Sequence, residues 1–118
     1  MRDPKRDDID YLHDILERLQ RIRNFAQEGE AIFLDSLIIQ DAVIRNFEVI
    51  GEATKRLTME IRQKYPQVIW KQMAGFRDIL IHNYSQVRLD AVWIAIETDI
   101  PKIESQILEI LQELKNEA

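Results

Sequence analysis

Hydrophobic positions recur every three or four residues along most of this chain, the spacing of one face of an α-helix. Ile9, Leu12, Leu16, Leu19, Ile22 and Phe25 form a first stripe and predict a helix of about six turns. Gly29, in "QEGE", ends it in the manner of a C-terminal glycine. A long second helix is predicted from about Phe33 to Lys64. Its seam is Val43, Phe47, Ile50, Thr54, Leu57 and Ile61, in alternating steps of four and three. Leu34, Ile38, Ala42, Val49 and Ala53 add a second apolar strip, which suits packing within the chain and against something further. Neither Asp35 nor Ser36 reads as a clean cap at its start. Gly51 costs roughly 1 kcal/mol relative to Ala inside a helix, a cost that close approach of another helix would explain.

Pro66, in "KYPQVIW", cannot continue the preceding helix but fits the first turn of a new one. A third long helix is therefore predicted from about Pro66 to near Tyr84. "SQVRLD" links it to a last helix, whose seam is Val92 or Trp93, then Ile96, Ile100, Ile103, Ile107, Leu111 and Leu114. Pro101 inside that run predicts a kink or a break. There are three Gly and three Pro, with no repeat, linker or low-complexity tract. Few turns mean long elements, and short connections favour antiparallel neighbours. The expected fold is a single all-α domain over residues 1–118, an antiparallel four-helix bundle with room for one extra short helix.

Composition narrows the function classes. With 46% hydrophobic and 31% charged residues the chain has the make-up of a soluble globular protein. It has no Cys, which removes disulfides and thiolate zinc sites, and its two His are far apart in sequence, which argues against a His-based metal site. No metal and no cofactor is expected. "MRDPKRDD" has no apolar core of a signal peptide, and no apolar run is long enough to span a membrane, so a cytoplasmic location is the expectation. Net charge is −5, which alone argues against general nucleic-acid binding. The distribution changes that. Lys55 to Arg88 holds seven basic residues against two acidic ones, a net +5, leaving −10 on the rest. A local basic surface on an acidic body is one consequence; ordinary segregation of solvated charge is the other.

One window concentrates chemistry. "FRDILIHNYS", Phe76 to Ser85, holds Arg77, Asp78, His82, Asn83 and Tyr84 in an R-x4-H-x-Y pattern. Asp78 and His82 are one helical turn apart and can touch, which favours the imidazolium form. Arg77 and His82 are about 140° apart around an ideal helix at about 100° per residue. A single straight helix does not aim both at one point. Either the helix loosens near its end, or a second copy completes the site across a two-fold axis. The residue types suit phosphodiester cleavage without a metal. Imidazole moves protons near neutral pH, guanidinium stabilises charge developing on phosphate, and RNA brings its own 2′-hydroxyl nucleophile. A polar helix end that satisfies open carbonyls and complements the helix dipole accounts for the same residues without chemistry.

"RDILIHNY", preceded by "VIRNFEVIGEATKRL" and "YPQVIWKQMAGF" and followed by "VW", resembles the HEPN superfamily and, more narrowly, the HepT-like toxins. The likeness runs from about Asp10 to Leu108. It implies a helical bundle dimerising through the motif-bearing helices, with two motif copies lining a shared cleft. It implies a metal-independent endoribonuclease acting on RNA, with Arg77 and His82 at the active-site positions. It also implies a minimal nucleotidyltransferase antitoxin as partner, with Tyr84 at the position that such an enzyme adenylylates. Asn83 and Asp78 are supporting candidates. The position after the motif Arg is often Asn in similar proteins, and here it is Asp78, a carboxylate that opposes RNA phosphate. That substitution and the net acidity motivate a second reading: a non-catalytic RNA- or nucleotide-binding module, or a docking surface for the nucleotidyltransferase.

A further polar stripe, Asp41, Arg45, Glu48 and Glu52, lies on the second helix. A solvated ion-pair face explains it; so does a carboxylate, Glu52, that orients Arg77 from behind. His13 sits beside the first apolar stripe and reads as structural. Trp70 and Trp93 are expected in the core or an interface rather than stacked on bases. Tyr11 and Tyr65 carry no motif.

Overall fold

The computed structural model describes residues 3–82 and 88–117, and of positions 77–82 the backbone alone. Among the described residues six helices follow one another: α1 (Pro4–Phe25), α2 (Glu30–Asp35), α3 (Leu37–Lys55), α4 (Met59–Lys64), α5 (Trp70–His82) and α6 (Leu89–Glu117). The long members α1, α3, α5 and α6 make the expected antiparallel bundle. The direction of each follows from contacts at one end. Asp8, near the start of α1, meets Thr58, just past the end of α3. Lys5 pairs with Glu117 at the end of α6, and Lys64 at the end of α4 pairs with the same Glu117. The α5 helix leaves from that end and returns along α3, where Phe76 meets Phe47.

The core is made of the predicted stripes. Leu12, Leu19 and Ile22 of α1, Val43, Phe47 and Ile50 of α3, and Ile96, Ile100, Ile103 and Ile107 of α6 are all buried. Ile110 is buried where the sequence seam pointed to Leu111, which packs at the core's edge. Trp70 and Trp93 are core residues, as expected. Trp93 stacks obliquely on Phe33 with ring centroids 5.4 Å apart, and the Trp70 indole N–H donates to the Tyr65 carbonyl at 2.9 Å. Tyr65 is buried too, donating to Glu113 at 2.7 Å. Burial, then that hydrogen bond, push its phenol above the ordinary value, which keeps it a donor.

Four boundaries depart from the sequence expectation. The predicted second helix is three helices. Ser36 is the true N-cap of α3, its hydroxyl accepting from the Ile39 N–H at 3.2 Å. Thr58 caps α4 in the same way, accepting from the Ile61 N–H at 3.3 Å. The seam residues Thr54, Leu57 and Ile61 stay buried across that break, because the chain turns without leaving the core. Gly29 does not cap α1, whose C-cap is Ala26; it sits at φ +100° as the entry to α2, a conformation that favours glycine. Pro66 begins a turn rather than a helix, and α5 starts at Trp70. Pro101 lacks an N–H, yet α6 continues unbroken from Leu89 to Glu117. Packing of Ile100 and Ile103 on both sides of it outweighs one missing hydrogen bond.

The break before α4 depends on a residue far away in sequence. The buried Asp8 carboxylate accepts from the Thr58 N–H at 2.9 Å and from its hydroxyl at 2.6 Å. Asp8→Ala leaves a part-buried N–H and hydroxyl without their acceptor and is expected to cost about 1–3 kcal/mol. A urea titration reads this as a lower midpoint at unchanged slope; a loss well under 0.5 kcal/mol would show that water replaces the carboxylate.

Candidate active site

The α5 helix carries the polar motif, and its packing sets where each position falls. Trp70 and Met73 are buried. Phe76 packs edge-on against Phe47 of α3, with ring centroids 5.0 Å apart and planes at 86°, an arrangement that aromatic pairs favour. Arg77 is the next residue. At about 100° per residue its position continues the row of Trp70 and Met73. The position of His82 continues a different row, Lys71, Gly75 and Asp78, and Lys71 is exposed. The backbone is α-helical through His82. Loosening of the helix between Arg77 and His82 is thereby removed as the way to bring them together, and the angular gap stands. Asn83 and Tyr84 lie outside the described residues.

The polar stripe of α3 forms ion pairs on its own surface. Arg45 pairs with Glu48 at 3.5 Å, and Glu52 holds Arg56 at 3.1 Å, the latter one turn apart. These are the contacts of a solvated ion-pair face. Contact of Glu52 with Arg77 involves a side chain outside those described.

Sequence reasoning missed Asn46. It is buried inside α3, donates to the Ala42 carbonyl at 2.7 Å and accepts from Arg18 of α1 at 3.3 Å. An asparagine on the buried face of a helix was the available signal, since such a group needs partners. It fixes α3 against α1 one residue before Phe47. The platform under the motif is therefore held by a polar contact on one side and an aromatic contact on the other.

The basic segment resolves into two parts. Three of its cations are paired: Arg56 with Glu52, Lys64 with Glu117, and Arg88 with Asp90 at 2.8 Å. The Arg88 pairing holds the Asp90 carboxyl below its ordinary value. Arg62 donates only to carbonyls, those of Lys55 at 3.4 Å and Leu57 at 3.2 Å. Neither Arg62 nor Lys71 has a carboxylate at ion-pair distance among the described residues. His13 is exposed beside the α1 stripe. Among the described residues no helix is long and apolar enough to cross a membrane.

Comparison with known proteins shows the family. The family model "Ribonuclease HepT-like" matches residues 15–110. A "putative RNase" of Methanocaldococcus jannaschii is 41% identical over 95% of this chain and 93% of its own length. The "Probable ribonuclease HepT" of Thermococcus cleftensis is 38% identical over 86% of this chain and 94% of its own length. A third relative, "Gamma-glutamylcyclotransferase and putative RNase" of M. jannaschii, is 46% identical over 88% of this chain, which spans only 47% of that longer protein. No solved structure matches the chain significantly. The chain belongs to the HepT-like ribonuclease family, within the HEPN superfamily.

Proposed function

We propose that this protein is the toxin of a toxin–antitoxin pair, an endoribonuclease that cleaves RNA without a metal ion. The family match over residues 15–110 is the observation that carries this reading. The regular helix that holds both Arg77 and His82 supports it. His82 takes the proton from a ribose 2′-hydroxyl. The 2′-oxygen then attacks the adjacent phosphorus, and the bond to the 5′-oxygen breaks. That oxygen takes a proton from water as it leaves, giving a 2′,3′-cyclic phosphate and a 5′-hydroxyl. Arg77 stabilises the charge that builds on the phosphate oxygens. Since one straight helix does not aim the two residues together, two copies of α5 face each other across a two-fold axis, and Arg77 of one chain works with His82 of its partner. Asp78, one turn before His82, stabilises the imidazolium that forms when His82 takes the proton, while Asn83 and Glu52 support the pair.

Regulation runs through Tyr84. A partner nucleotidyltransferase transfers AMP from ATP to its hydroxyl, releasing pyrophosphate, and the bulky anionic adduct blocks RNA beside His82. Incubation with such an enzyme and ATP is expected to add one AMP to the wild-type chain and none to Tyr84→Phe. Intact-protein mass spectrometry distinguishes the two, and continued modification of Tyr84→Phe would rule this tyrosine out as acceptor.

A second reading is favoured by Asp78 and the net acidity: a helical module that binds RNA, a nucleotide or the nucleotidyltransferase without cleaving. RNA that stays intact under all conditions, with partner binding retained, would favour it.

A further inference from the structure

A groove of about 630 Å³ lies between α4 and the first turns of α5, on the side of the molecule that feeds the motif helix. Its lining includes Arg62, Pro66, Gln67, Ile69, Lys71 and Gln72. Three features suit it to an anionic, partly apolar ligand. Its two cations have no carboxylate partner among the described residues, whereas Arg56, Lys64 and Arg88 do. The Arg62 Nε–H is buried without an acceptor, so that guanidinium is only partly satisfied by the Lys55 and Leu57 carbonyls. Pro66 and Ile69 add apolar surface between the charges, and Gln67 and Gln72 add amides.

The groove is continuous in register with the motif. Lys71, Gly75, Asp78 and His82 follow one row along α5, with about 16 Å of helix rise from Lys71 to His82. A Cβ at Gly75 would meet nothing within 4 Å, so among the described residues there is open space over the row at that point. Unpaired cations, amide donors and an apolar floor in this groove match a single strand of nucleic acid. Its phosphates need positive charge, and its bases rest on apolar surface.

We propose that this groove holds the single-stranded RNA flanking the scissile phosphate. Lys71 is the main phosphate contact and Arg62 a second. The inference rests on the ribonuclease reading for its direction toward His82. Lys71 contributes affinity and takes no part in the chemical step. An acidic protein segment would satisfy the same cations, but it would have less use for the apolar floor.

The test measures binding of a fluorescein-labelled single-stranded RNA to the full-length His82→Ala protein, which holds RNA without cutting it. In that background Lys71→Gln is expected to weaken binding roughly five- to tenfold at low salt, and to lower the slope of log affinity against log salt by about one. Lys71→Glu weakens it further. In the otherwise wild-type chain Lys71→Gln raises KM for RNA and leaves kcat in place, the mark of lost uniform binding. Unchanged affinity and salt slope, while the wild-type protein still cleaves RNA, would overturn the groove and leave the ribonuclease reading standing. Lys71-dependent binding by a wild-type protein that never cleaves would do the reverse. Normal RNA binding by Lys71→Glu, with loss of binding to a co-expressed nucleotidyltransferase, would reassign the groove to protein docking.

Discussion

RNA cleavage by the His82→Ala protein is expected to fall by about 10²- to 10⁴-fold, the usual worth of a positioned general acid–base group. The loss should appear in kcat and leave RNA binding near its wild-type strength, because the imidazole contributes to proton transfer more than to holding the phosphate. Cleavage by the wild-type protein should persist in a chelator, since the proposed steps run through Arg77, His82 and the substrate's own 2′-hydroxyl. Arg77→Ala is expected to lose about 10²- to 10³-fold through the missing charge stabilisation. Cleavage at the wild-type rate by His82→Ala would remove the histidine from the mechanism and with it the significance of the R-x4-H pattern.

The second large effect is on stability and lies outside the motif. Phe47 is buried and packs edge-on against Phe76 at 5.0 Å. Phe47→Ala removes a core aromatic ring and is expected to cost about 3–5 kcal/mol. That is a large share of the roughly 5–15 kcal/mol that holds a domain of this size folded. Because Phe76 immediately precedes Arg77, the same change releases the part of α5 that carries the site. Cleavage should therefore drop with Arg77 and His82 intact. Phe47→Leu keeps most of the volume and is expected to cost less than about 1.5 kcal/mol. Urea midpoints of the three proteins give the order. Equal stability of Phe47→Ala and wild type would show that the two rings do not anchor the motif helix.

The helical class, the antiparallel bundle and most seam positions of α1, α3 and α6 followed from apolar spacing, because a helix buries one stripe and the stripe survives in the sequence; Ile15, Ile44 and Met73 are core residues the stripes left out. Phe47, Ile50, Leu57 and Ile61 form one seam on paper and one buried row in the fold, although the backbone between them turns at Thr58. That turn was not legible. Its capping threonine is held by Asp8, fifty positions earlier, and a periodicity argument sees only near neighbours. Pro101 does not break α6, for the opposite reason: the tertiary packing of the helix overrode a local preference. At the site, angular arithmetic separated Arg77 from His82 from the residue numbers alone, and the helix through His82 preserves that separation. Of the paired cations Arg56, Lys64 and Arg88, only Lys64 needed three dimensions, because its partner Glu117 is 53 residues away.

The central claim is that one active site needs two chains, and mixing two inactive variants tests it most directly. Arg77→Ala and His82→Ala each lack one half of every shared site. Refolded together in equal amounts, half of the dimers are mixed, and each mixed dimer regains one intact site of two. Cleavage should return to about one quarter of the wild-type rate. A mixture as inactive as its components, with mixed dimers demonstrated by a tag on one chain, would contradict the account and place Arg77 and His82 of the same chain at one phosphate.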